Sequence, residues 1–255
     1  MSGGHADALH LPGDSVLHRA VPQVKIVAAF LFVLCVVATP RELFWAFAAY
    51  ASIVFGASRL AGIPVRWLLT RLLIEVPFVV LALLLPFTAG GPSTDVAGIG
   101  LSTEGLLAGF NILAKGTLGL GTSLVLAATT APRELVLGLQ RLRTPKLLIT
   151  IITLMLRYAE VIAAEAARMR LARISRGHDP RFLWQVGATA RGIGSLFIRS
   201  YERGERVHLA MVSRGWAGEM PELQPARRTS VRTWGMGLAV PALAAVVLGV
   251  SLWTA

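Results

Sequence analysis

Arg176 and Arg214 each stand one residue before the end of a ten-residue unit that occurs twice in this chain. The copies are Arg168-Met-Arg-Leu-Ala-Arg-Ile-Ser-Arg-Gly177 and, 38 residues later, Arg206-Val-His-Leu-Ala-Met-Val-Ser-Arg-Gly215, with six identical positions. A guanidinium is planar, permanently charged, and meets a carboxylate through two parallel hydrogen bonds. The chemistry on offer is therefore recognition rather than bond-making. One arginine in a last helical turn has an ordinary explanation, since it complements the helix dipole for about 0.3–1 kcal/mol. The dipole requires neither the preceding Leu-Ala nor a second copy. Ser175-Arg176-Gly177 and Ser213-Arg214-Gly215 predict one docking device used twice, hence two similar acidic pockets on a dimeric partner.

Reactive chemistry has little support elsewhere in the chain. There is no G-x-x-x-x-G-K-[ST] phosphate loop, and Ala114-Lys115-Gly116-Thr117 does not make one. A nucleophile elbow, an H-E-x-x-H zinc site and a paired-carboxylate constellation are likewise absent. His5, His10, His18, His178 and His208 are scattered without metal-ligand spacing. The single cysteine, Cys35, lies in an apolar run, which excludes disulfides within the chain and a Cys-rich metal site. The chain is expected to be non-catalytic and to bind no cofactor or metal of its own.

The elements that must position the two tips are helices. Arg168, Leu171, Ala172 and Ser175, like Arg206, Leu209, Ala210 and Ser213, fall at i, i+3, i+4 and i+7 on one helical face. Gly177 and Gly215 then sit where a left-handed residue ends a helix. Both copies lie within residues 133–232, which carry 18 of the 25 Lys and Arg but only 8 of the 14 Asp and Glu. Glu160, Glu165, Glu202 and Glu205 are interspersed and no aromatic stacking series appears, so nucleic acid is not an expected partner. Anionic lipid headgroups will attract these cations in any case.

The chain as a whole is written for a bilayer: 55% of its 255 residues are hydrophobic, 15% are charged and the mean hydropathy is +0.64. A helix crossing roughly 30 Å of hydrocarbon needs about 20 apolar residues. Candidate spans are Val24 to Thr39, Leu43 to Ala57, Trp67 to Phe87, Gly105 to Thr130 and Trp234 to Trp253, the last with a tryptophan at each interface. The Leu147 to Leu156 run is too short to cross and is expected to lie under the membrane helices or at their interface. The first 23 residues hold no apolar signal-peptide region, so the N-terminus is expected to be retained. Excess positive charge places 133–232 and the N-terminus in the cytoplasm and the C-terminus outside. The fold class is thus an all-α integral membrane protein of about five transmembrane helices plus cytoplasmic amphipathic helices. Its parts are 1–132, a cytoplasmic 133–232 and a final helix at 233–255.

Two charges fall inside spans. Lys115, midway along the fourth, would cost about 2.5–3.5 kcal/mol unpaired. Glu75 on the third lies at a similar depth if the two spans are antiparallel, which makes Glu75 and Lys115 a candidate intramembrane ion pair. Arg71, at i−4 from Glu75, competes for it, and a tilted span would let Lys115 reach the interface instead. The series Gly105, Gly109, Gly116 and Gly119 would admit a close neighbouring helix.

The Leu11-Pro-Gly-Asp-Ser-Val-Leu-His-Arg19 lead-in, Pro22 to Lys25, Arg157 to Gly177, and Ser200-Tyr-Glu-Arg-Gly-Glu-Arg206 before the second Ser-Arg-Gly carry a resemblance that covers nearly the whole chain. It resembles the transmembrane T component of energy-coupling-factor (ECF) transporters, the vitamin and metal-ion importers of prokaryotes, most closely the cobalt-type (CbiQ) T component. The resemblance implies that the two tips dock into grooves on two ABC-type ATPase subunits. Arg176 and Arg214 would face an acidic residue beside each Q-loop. ATP and Mg would be bound by those ATPases, and substrate would be captured by a separate membrane S component. Ser175 and Ser213 replace an Ala commoner in the family. Cobalt is the expected substrate, with nickel, biotin or another vitamin as alternatives. From different classes, a membrane-embedded enzyme would need acidic metal clusters at a membrane face, which are not seen, and an anionic-lipid scaffold would not need the tips.

Overall fold

Proline and serine mark where the helices begin. The computed structural model describes residues 9–88, 90, 93–96, 99–177, 186–218 and 230–254; the expectations for His5, His178 and Ala255 fall outside them. Ser15 caps the short α1 (Val16–Arg19) by accepting from the His18 amide. Pro22 opens α2 (Pro22–Ala38), its fixed φ and missing donor suiting a first turn. α3 (Phe44–Leu60) follows, then α4 (Val65–Leu72), a 3-10 turn at Leu73–Glu75 and α5 (Val76–Thr88). The third expected span is therefore broken in its middle. Pro77 cannot donate to the Leu73 carbonyl, and the chain tightens there.

The turn-rich stretch after α5 contains a small antiparallel hairpin, β1 (Ser93–Val96) and β2 (Ile99–Ser102), with Ser93 opposite Ser102. Ser102 then caps α6 (Thr103–Thr129), accepting from the Gly105 amide at 3.2 Å. α7 (Pro132–Arg141), α8 (Lys146–Ser175), α9 (Val186–Val212) and α10 (Val231–Thr254) complete the order. Among the described residues the protein is all-α apart from the hairpin.

Among the described residues four helical stretches are long and apolar enough to cross a membrane: Val65–Thr88, Thr103–Thr129, Lys146–Ser175 and Val231–Thr254. α2 and α3, at 17 residues each, give about 25 Å of helix. α8 departs from expectation. The apolar Leu147 to Leu156 run does not stop as a short segment but continues without a break into the first Ser-Arg-Gly copy, because no glycine or proline interrupts it.

The chain divides into two compact units. The first comprises Leu9–Gly138 with Arg227–Ala255 and the second Leu139–Ala226. In the first, Phe32, Val36, Ala46, Phe47, Tyr50, Leu118 and Ala244 form a buried cluster drawn from α2, α3, α6 and α10. Apolar lipid gives helices no hydrophobic reason to associate, so close contact and hydrogen bonds must hold them. Tyr50 Oη supplies one such bond, lying 3.0 Å from Thr39 Oγ1 and 3.4 Å from Ala244 O, while Thr39 Oγ1 donates to Cys35 O. α5 meets α6 at glycines: a Cβ on Gly105 would lie 2.6 Å from Leu85 O, and one on Gly109 2.6 Å from Ala82 O. Phe78, Leu83 and Phe87 of α5 face outward, as a lipid-facing surface requires.

Candidate functional site

In the second unit the duplicated sequence becomes duplicated geometry. α8 ends at Ser175 with Arg176 as its cap residue, and Gly177 follows at φ +81°; Gly215 after α9 has the same φ of +81°. Gly177 N–H donates to Ile174 O at 3.0 Å, and Gly215 N–H to Val212 O at 2.9 Å. Trp216 N–H reaches back to Met211 O at 3.0 Å, completing a Schellman closure at the second tip. Both serines turn inward on their own helix, Ser175 Oγ donating to Leu171 O and Ser213 Oγ to Leu209 O. His208 packs edge-on against Trp216 with ring centres 5.7 Å apart.

The exposed surroundings of the tips match too. Leu171 and Leu209 are 65% and 64% exposed, Ile174 and Val212 44% and 50%, so each arginine is accompanied by an apolar patch open to a partner. The leading arginine of each copy is tied back by an acid one turn earlier, Arg168 to Glu165 and Arg206 to Glu202. Arg176 and Arg214 are exposed, and among the described residues neither has a carboxylate partner.

α8 and α9 touch where Glu165 Oε1 accepts from Arg199 Nη1 at 2.9 Å, and again where the Arg173 guanidinium lies over Gly192. The order of these contacts makes the two helices antiparallel at their crossing. α9 continues beyond Arg199, away from Ser175, for roughly 22 Å of helix before Arg214. The two tips therefore stand apart from one another within this unit.

The expected Glu75–Lys115 ion pair is not formed. Lys115 Nζ donates to Val37 O at 2.8 Å, at the end of α2, while Glu75 Oε2 accepts from Thr117 Oγ1 at 2.9 Å. Lys115 and Thr117 are two residues apart on α6, about 200° around the axis, so depth alone did not bring the charges together. Arg71, the competitor, stacks on Trp67 with its guanidinium carbon 3.9 Å from the ring centre. Glu75 also abuts Gly116, so Gly105, Gly109 and Gly116 all serve the α5 side, whereas nothing lies within 4 Å of a Cβ at Gly119.

A family model described as cobalt transport protein, CbiQ, matches residues 13–225, a range that includes both tips and α2 to α9. The chain belongs to the CbiQ family. Among its relatives is an energy-coupling factor transporter transmembrane protein EcfT of Bacillus selenitireducens, 28% identical over 82% of this chain and 82% of the relative. The cobalt transport protein CbiQ of Rhodobacter capsulatus is 34% identical over 59% of this chain and 63% of its own length. EcfT of Bacillus subtilis is 27% identical over 82% and 83%. This CbiQ-family chain is thus a multi-pass membrane component of a transporter.

Two features of the CbiQ-family chain escaped the reading of its sequence. Thr117 as the partner of Glu75 has no marker, since a threonine in an apolar helix usually bonds its own backbone. Arg199, which joins Glu165 between α8 and α9, is one of three α9 arginines outside the repeats, with Arg191 and Arg203, and the sequence does not distinguish them. Among the described residues no group of three His, Cys, Asp or Glu could hold a metal ion.

Proposed function

We propose that this chain is the coupling (T) component of an ECF-type importer for cobalt ion. Arg176 and Arg214 dock onto two ABC-type ATPase subunits, which bind ATP and Mg, and the chain passes their motion to a membrane S component that binds substrate. The single observation that carries this reading is the pair of tips: a closing glycine at φ +81° on each, exposed leucine and β-branched neighbours on each and, among the described residues, two arginines without a carboxylate partner. A guanidinium on a closed helix end can enter an acidic groove without reordering its backbone, and α8 and α9 are long enough to act as levers. Coupling requires that contacts differ between two states of the ATPase pair, which separate pockets for the two tips allow. The N-terminus and 133–232 are placed in the cytoplasm, where ATP is, and the C-terminus outside.

Co-expression with two ATPase chains and an S component tests this. The unmodified chain should retain both ATPases on purification and support uptake of radioactive cobalt that excess nickel or biotin does not displace. Arg176→Glu and Arg214→Glu should each abolish uptake, and the double change should also release the ATPases while the chain still inserts in the membrane. Full transport and assembly in both single variants would end the coupling role. Displacement by nickel or biotin would reassign the substrate alone.

A further inference from the structure

The first unit contains a groove that the tips do not explain. It is bounded by α2, α3, α6 and α10 and encloses about 500 Å³, within the roughly 300–1,000 Å³ of small-molecule sites. Val24, Ala28, Phe32, Ile53, Val125 and Val240 make its walls apolar, and Arg19, Lys25 and Arg232 stand at one end. That end is where α2 and α10 begin and α6 finishes. Along α2 the lining runs from Val21 to Phe32, about 17 Å of helix, close to half of a hydrocarbon core of about 30 Å. Apolar wall and cationic rim thus have the dimensions of one lipid leaflet, acyl chain below and headgroup above.

The charges at the rim are not neutralised within the unit. Lys25 Nζ uses its donors on His18 O, Thr129 O and Thr130 Oγ1, at 3.3, 2.8 and 3.0 Å, so it contributes a fixed positive field rather than a new hydrogen bond. Asp14 stands 3.9 Å from Arg19, and Glu134 acts on Lys25 from beyond ion-pair distance. Arg232 is exposed and, among the described residues, forms no ion pair. Three cations therefore face two acids. Any groove inside a bilayer fills with hydrocarbon; a cationic rim selects which headgroup accompanies it.

We propose that this groove is a binding site for an anionic phospholipid, with one acyl chain lying along α2 and the phosphate held by Arg19 and Arg232 in the field of Lys25. The site is independent of the coupling role of the tips. Native mass spectrometry of the full-length chain, offered equal amounts of dioleoyl phosphatidylglycerol and phosphatidylcholine, tests it. One phosphatidylglycerol should be retained in preference by about tenfold, the scale of interfacial cations acting together. Arg19→Gln with Arg232→Gln should cut that preference several-fold, leaving what Lys25 and the cations of 133–232 supply. Ala29→Phe, which fills the groove and leaves the rim intact, should remove the bound lipid; Val240→Phe fills it from the opposite wall and replaces Ala29→Phe if that variant does not fold. Equal retention of both lipids by the unmodified chain overturns the proposal. So does a preference undiminished by the double substitution, and so does full retention in the filled variant, which would place lipid on the outer surface or leave the groove to a partner's helix.

Discussion

Thr117 Oγ1 donates to Glu75 Oε2 at 2.9 Å, so the one carboxylate of the third span is held by a hydroxyl of the fourth and not by Lys115. Thr117→Val keeps the volume and removes the donor, leaving a buried acceptor short of a partner at a cost of about 1–3 kcal/mol. Thr117→Ser should be close to neutral. Lys115→Ala and Glu75→Gln should add independently, within about 0.5 kcal/mol, because the residues share no contact. Thermal unfolding of the detergent-solubilised chain reads all of these, and a large coupling between Lys115 and Glu75 would contradict the observed partners.

Gly177 and Gly215 both sit at φ +81°, and a Cβ at either would meet nothing within 4 Å. Ala at each position should therefore cost only the left-handed conformation, about 1–2 kcal/mol, with Asn milder. Ser175→Ala and Ser213→Ala remove a hydroxyl together with its bond to Leu171 O or Leu209 O and orphan no donor, so assembly should change little. Binding to the ATPases, measured for each variant, should fall with the glycine changes and hold with the serine changes.

Arg168 and Arg206 are already engaged with Glu165 and Glu202. Arg168→Gln and Arg206→Gln should stay within about 1 kcal/mol of the unmodified complex, as exposed pairs do, whereas Arg176→Glu and Arg214→Glu should not. Equal damage at both kinds of position would mean that general positive charge, rather than the tip, binds the partner.

The contact of α5 with α6 makes an opposite pair of predictions for glycines on one helix. Gly109→Ala places a methyl 2.6 Å from a backbone oxygen and should destabilise by about 1–3 kcal/mol. Gly119→Ala has open space and gains helix propensity, so it should be neutral or slightly stabilising. Unfolding midpoints of the two variants compare them directly.

Cysteine labelling on a Cys35→Ala background addresses the number of crossings. His5→Cys should react only with internal reagent and Ala255→Cys with external reagent, as five crossings require. Reaction of both on one side would mean that α8, long and apolar enough to span, is a sixth.

What the sequence determined by itself was most of what is encoded along a helix axis; the full extent of α8, where the apolar run passes straight into the first tip, was not. Apolar run lengths located α2, α3, α6 and α10 to within a few residues and gave α4, the 3-10 turn and α5 as one run, and the repeat located both tips and the glycines that close them, because a left-handed cap and an i, i+3, i+4, i+7 face are local properties. The 3-10 turn before Pro77 follows from that residue's missing donor. Tertiary structure alone decided what depends on rotation about that axis. A helix in lipid is apolar on every side, so nothing in its pattern says which face meets a neighbour. The turn of α6 toward α5 was free to present Lys115 or Thr117 to Glu75, and it presented Thr117. The same rotation gave Gly105, Gly109 and Gly116 a neighbour and left Gly119 open, and helix packing brought Arg232 of α10 to the groove end that Arg19 and Lys25 share.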